Sequence, residues 1–285
     1  MGENNLKVTE HSRDIAGLRY VYPVISRRAG GVSVGINLNT NNACNWRCIY
    51  CQVPDLKPGT APPLDLILLE QELRGFLHEL LHGDFMQSRV PEGARRINDI
   101  ALSGNGEPTS AAEFALVIEL IGKLKRELAL PESIKLVLIT NGSLLQRENV
   151  QQGLRQMAKL NGEVWFKLDR ASEQGLARIN DTRTSLDKVR ENLVTAISCC
   201  PNTWLQTCWF ALDGKAPDRQ DEDDYLDFLS ALLQQGFRPR GVLLYGIART
   251  SMQVEAPRLS ALSSGQMESF AQRIREMGVA VTVAE

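Results

Sequence analysis

Apolar positions along the chain follow two alternating rhythms. Val32-Ser33-Val34-Gly35-Ile36-Asn37-Leu38 repeats every second residue and is β-branched, which predicts a first strand. The stretch Val21 to Arg28 leads into it through Gly30-Gly31, and residues 1–20, polar and without a clear period, predict an arm over one end of the fold. After a connector rich in Pro and Gly (Pro54, Pro58, Gly59, Pro62, Pro63), Asp65 is placed to cap a helix running to His82. That helix carries Leu66, Leu69, Leu73, Phe76, Leu77 and Leu80 on one face.

The alternation then continues to the end of the chain. A strand at Asn98 to Leu102 precedes a helix opened by Ser110-Ala111-Ala112-Glu113, which reads as a capping box, with Phe114, Val117, Ile118, Ile121 and Leu124 at helical spacing. Lys135 to Thr140 is a continuous apolar run of the kind buried on both faces of a parallel sheet. Helices near 147–160, 185–199, 222–235 and 265–277 separate strands at Val164 to Leu168, Trp204 to Leu212 and Val242 to Ile247, and a short apolar tail, Val279 to Val283, follows. Six strands, each followed by a helix, imply an α/β fold with a parallel sheet and right-handed crossovers. Periodicity fits an open sheet and a barrel alike. With no internal repeat, low-complexity tract or long linker, 1–285 reads as one domain: an arm (1–20), a core (21–250) and a C-terminal helix and strand (251–285).

Composition narrows the class. Hydrophobic content of 43% and charged content of 23% are ordinary for a globular protein. No run of about 18 apolar residues and no charged-then-apolar N-terminus is present, so no membrane partner is expected and the expected location is the cytoplasm. A net charge of −2 argues against a large nucleic-acid footprint while leaving room for a local basic patch such as Arg27-Arg28.

Three of the six cysteines fall within residues 43–51, as Cys44, Cys48 and Cys51. Thiolates are the usual ligands of iron–sulfur clusters, and a 4Fe-4S cube normally takes four. A C-x3-C-x2-C loop offers three and leaves one iron open for chemistry. A zinc knuckle is the rival, but zinc sites usually pair C-x2-C units or close with His, and neither lies near Cys51. Gly104-Asn105-Gly106-Glu107-Pro108 directly follows a strand: its glycines let a ligand approach the backbone, and Glu107 offers a carboxylate to an ammonium group. A plain strand-to-helix turn is the alternative. Thr140-Asn141-Gly142, Lys167 and Asp169 end later strands, where parallel α/β folds place ligands.

His78-Glu79-Leu80-Leu81-His82 matches the zinc-hydrolase pattern H-E-x-x-H, although the segment also reads as the end of an amphipathic helix, where the dipole favours histidines. Cys199, Cys200 and Cys208 read as core packing, and Asp221 to Asp224 as an acidic helix start.

C-x3-C-x2-C with Tyr50 before its last Cys, followed by Ser103 to Thr109, Thr140 to Leu145, Phe166-Lys167-Leu168-Asp169 and Tyr245 to Arg249, resembles the radical SAM superfamily, in particular its wyosine-type branch, relatives of tRNA 4-demethylwyosine synthase. The resemblance implies a partial (β/α)6 barrel, with a 4Fe-4S cluster on Cys44, Cys48 and Cys51 and S-adenosylmethionine on its open iron. It assigns cofactor contacts to Tyr50, Gly104, Asn105, Gly106, Glu107, Pro108, Asn141 and Ile247 and catalytic roles to Lys167 and Asp169. It further implies a 5′-deoxyadenosyl radical, an external electron donor such as flavodoxin or ferredoxin, and a small-molecule, peptide or RNA substrate. The tRNA enzymes carry additional N-terminal cysteines, and here none precedes Cys44. A tRNA base modifier and an electron carrier without radical chemistry are the alternative functions.

Overall fold

The computed structural model describes residues 17–25 and 30–284; the expected arm lies largely, and Arg27-Arg28 wholly, outside them. Eight strands form one sheet in chain order: β1 (Val21–Ile25), β2 (Val32–Ile36), β3 (Ile97–Leu102), β4 (Lys135–Thr140), β5 (Gly162–Lys167), β6 (Thr203–Cys208), β7 (Val242–Tyr245) and β8 (Val281–Ala284). β1 pairs antiparallel with β2, Val21 opposite Ile36, and every later neighbour is parallel. β1 and β8 end the strand order without pairing to each other, so the sheet is a partial barrel.

Helices α1 (Leu66–His82), α2 (Phe85–Arg89), α3 (Phe114–Glu127), α4 (Glu148–Lys159), α5 (Glu173–Asn180), α6 (Leu186–Cys199), α7 (Arg219–Gln234) and α8 (Ser264–Glu276) fill the crossovers. The predicted apolar faces are the buried ones: Leu69, Leu73 and Leu77 of α1 and Val117, Ile118 and Ile121 of α3 are fully buried in the main core. Each such side chain contributes about 1.5–3 kcal/mol. Among the described residues no helix is long and apolar enough to cross a membrane.

Three local readings change. The capping box at Ser110 is absent: Pro108–Ser110 form a short 3-10 turn, α3 starts at Phe114, and Ser110 Oγ donates instead to Glu107 O. The strand expected through Leu212 stops at Cys208, and Ala211–Leu212 pairs antiparallel with Leu259–Ser260. Val21 to Ile25 is a strand in its own right, with Pro23 tolerated because β1 is an edge.

Candidate active site

The cysteine loop leaves β2 and is pinned at its base by a two-residue parallel pairing of Ala43–Cys44 with Lys57–Pro58. Its middle docks on the C-terminal carbonyls of α5, with Arg47 N–H donating to Asn180 O (3.2 Å) and Ile49 N–H to Ile179 O (2.9 Å). From the far end of the chain, residues 251–255 lie across it. Ser251 Oγ donates to Ile49 O (2.8 Å), Met252 N to Cys51 O (2.8 Å) and Gln253 Nε2 to Val53 O (3.1 Å). Arg47 grips both carboxylate oxygens of Glu255 at 2.9 Å and reaches Asp181 at 2.8 Å.

Asparagines tie this loop to the turns after β3 and β4. Asn37 Oδ1 accepts from Asn39 N (3.1 Å) and Asn105 N (3.0 Å). Asn39 Nδ2 donates to Ala43 O (2.9 Å), Asn105 Nδ2 to Asn42 Oδ1 (2.6 Å), and Asn141 Nδ2 to Asn45 Oδ1 (2.9 Å). The approach is close enough that a methyl group at Gly106 would run into Ala43 O and the Asn39 side chain. Glycine is therefore required there by packing.

Glu107 is only 2% exposed, and its carboxylate is largely spent inside the protein. Oε1 accepts from Thr109 N (3.1 Å), Thr109 Oγ1 (2.5 Å) and Thr140 Oγ1 (2.6 Å), and Oε2 from Asn141 N (2.7 Å). Burial pushes its pKa up while these donors pull it back. Glu107 thus knots the two turns together. Pro108 starts the 3-10 turn and is not on the cavity wall.

One cavity of about 340 Å³ opens among the C-terminal strand ends. Cys44, Cys48, Cys51 and Tyr50 line it from the loop, Gly104, Asn105, Gly106 and Glu107 from the turn after β3, and Asn141, Lys167 and Ile247 from the turn after β4, the end of β5 and the chain beyond β7. All three thiols are free of disulfides. Burial pushes Cys44 up to about 12 and raises Cys48 as well, a cost that a bound metal offsets by drawing off the proton.

Asp169, read as catalytic from its place at a strand end, stands behind this wall at 1% exposure. Its carboxylate accepts from Tyr50 Oη (2.5 Å), Asn180 Nδ2 (2.6 Å) and Cys208 N (2.8 Å), and so ties the wall together from behind. Asn180, unmarked in the sequence, donates from the same amide nitrogen to Cys48 Sγ (3.2 Å). Lys167 does face the cavity, with Nζ 4.9 Å from the Tyr50 ring centroid. Desolvation works against its charge, but Tyr245, Cys48, Asp169 and Cys51 outweigh that and hold its pKa above the ordinary lysine value.

The rival motif goes elsewhere. His78 and His82 are exposed and stack edge to face at 4.8 Å, while Glu79 Oε1 accepts from Phe85 N at the helix end. Cys200 is core, as expected, whereas Cys208, also buried, reaches the cavity wall. Among the described residues no three His, Cys, Asp or Glu side chains converge as ligands of one ion would. A 4Fe-4S cube instead takes each thiolate on a different iron.

The sequence model of the Radical SAM superfamily matches residues 38–209, more than half of the chain. The chain belongs to the radical SAM superfamily. Radical SAM proteins use a 4Fe-4S cluster and S-adenosylmethionine, and the residues present here fit that pair. Three free thiols share one cavity with a glycine-lined backbone, and the buried Asn105 Oδ1 has no hydrogen-bond partner. A UPF0026 protein of Helicobacter pylori is 28% identical over 174 residues, covering 60% of this chain and 49% of the relative. The chain spans about half the length of that relative. In fold it is similar to a spore photoproduct lyase mutant (TM-score 0.57, 12% identity, 99% of this chain and 88% of that one). It is likewise similar to TYW1 with a lysine-pyruvate adduct bound (TM-score 0.55, 15% identity, 86% and 73%).

Proposed function

We propose that this chain is a radical SAM enzyme that abstracts hydrogen from a substrate held inside the partial barrel. The observation that carries the reading is the convergence of Cys44, Cys48 and Cys51 with the Gly104–Gly106 backbone on one cavity. When bound, the cluster and S-adenosylmethionine supply one electron and a 5′-deoxyadenosyl radical. The protein's part is placement. Asn105 Oδ1 and the 104–106 backbone are acceptors for the cofactor's amino group, and Glu107 fixes their position from behind. Asp169 holds Tyr50 against the loop, and Ile247, packed beside Ile49, Cys208 and Phe210, gives an apolar wall for the adenine. Trp46 and Trp165 line the same cavity and keep water from a reactive radical.

The electron comes from a separate donor such as flavodoxin or ferredoxin. Oxidation destroys thiolate-bound clusters, so a reducing compartment such as the cytoplasm suits the protein. The test is anaerobic: reconstitute iron and sulfide, reduce with dithionite, add S-adenosylmethionine, and follow the cluster's EPR signal together with 5′-deoxyadenosine. Both responses are expected in the native protein and neither in Cys48→Ala. A cluster that forms yet gives neither would mark an electron carrier.

A further inference from the structure

Deep in the partial barrel lies a carboxylate that belongs neither to the cysteine loop nor to the turns around it. Asp99 is the third residue of β3, on the order of 13 Å before Ser103 along an extended strand. It lines the cavity yet is only 4% exposed. Ser33, its register partner on β2, donates through Oγ to Oδ1, and Asn98 Nδ2 donates to Oδ2 at 2.7 Å. Both donors are neutral, and they occupy about half of the roughly four lone-pair sites of a carboxylate. Among the described residues no cation forms an ion pair with Asp99. Lys135, opposite it on β4, reaches Glu163 instead (2.6 Å), and the two members of that pair act on Asp99 in opposite directions. Burial without a counter-charge pushes its pKa up. The surroundings are apolar: Val24, Ala101 and Val137 share its face of the sheet and line the same cavity, and the Tyr22 ring packs on Gly35, the register partner of Ala101. Ala101 is the next inward residue of β3 toward the cysteine loop, and being small it keeps the carboxylate open to the cavity. Burying a carboxylate in such a place is costly unless a cation joins it.

We propose that Asp99 anchors a substrate ammonium group, so that the substrate is a primary amine whose carbon chain rises past Ala101 toward the cofactor. This rests on the radical SAM reading and names its substrate class. An ammonium supplies both the missing counter-charge and N–H donors for the open lone pairs, and the aromatic ring nearby favours a cation further. A hydroxyl group brings a single donor and no charge. The cofactor's own amino group is the other source of the same chemistry. Its acceptors lie on the Gly104–Gly106 turn at the opposite end of β3, and one amino group cannot reach both places.

Anaerobic titration calorimetry of the reconstituted protein, with S-adenosylmethionine present, tests the inference using butylamine, hexylamine and octylamine, each against the alcohol of the same chain length. At least one amine is expected to bind tenfold or more tightly than its alcohol. Asp99→Asn, which keeps the size and removes the charge, should abolish that preference and leave S-adenosylmethionine affinity unchanged. Ala101→Leu, which narrows the lumen and leaves the charge in place, should weaken the amine tenfold or more. The inference is overturned if no amine outbinds its alcohol, if Asp99→Asn keeps the preference, or if Ala101→Leu leaves amine affinity intact, which would put the amine outside the lumen. It is equally overturned if Asp99→Asn weakens S-adenosylmethionine and leaves the amines alone, which would assign Asp99 to the cofactor. Formation of 5′-deoxyadenosine without added amine scores the underlying reading separately. Its absence alongside selective amine binding defeats the reaction, and its presence without such binding defeats only the Asp99 site.

Discussion

Asn180 divides its amide between two unlike acceptors, Cys48 Sγ and Asp169 Oδ2, and is fully buried while doing so. An N–H donor stabilises a thiolate more as the cluster behind it gains negative charge, so this hydrogen bond favours the reduced state. Asn180→Leu, similar in size but without the donor, is expected to lower the cluster's midpoint potential. A differential of about 1 kcal/mol corresponds to roughly 40 mV for one electron. An EPR-monitored redox titration reads this directly, and a purely structural role for Asn180 would lower cluster content without moving the midpoint. The cysteines and Gly104-Asn105-Gly106 were legible beforehand because their chemistry is written in residue type and local spacing. Asn39, Asn45 and Asn180 were not, since asparagine is ordinary in loops and their partners here include groups up to 132 positions away. For Glu107 and Asp169 the sequence shows a carboxylate, and only the fold shows which donors already occupy its lone pairs.

At the scale of elements, α5 carries more of the site than its eight residues suggest. Its last carbonyls hold Arg47 and Ile49, and its first turn is capped by Ser172, whose Oγ accepts from Gly175 N at 3.2 Å. Ser172→Ala is expected to cost about 1 kcal/mol in urea unfolding and to speed iron loss to a chelator. Unchanged stability would show the cap to be idle. The long helices were legible because an apolar stripe over four turns outweighs local noise: α1 almost to the residue, and α3 in its apolar face though not in its start. α5 is too short for that test, and β1 was obscured by Pro23, a residue that argues against a strand until its edge position is known.

At the scale of the molecule, the site is assembled from both ends of the chain. The six-fold alternation predicted the parallel sheet, but not that residues 251–255 would lie across the cysteine loop. That placement sets a schedule for biosynthesis. At about 5–20 residues per second, a ribosome adds Glu255 on the order of 10–40 s after Cys51. During that interval the three thiols exist without the contacts that shape their loop. Chains stalled on the ribosome near residue 240 are therefore expected to take up little iron and sulfide under conditions that load the released protein, as measured by iron per chain. Cluster delivery then belongs after translation, and a cell that loads this protein must keep its nascent cysteines reduced until the last quarter of the chain arrives.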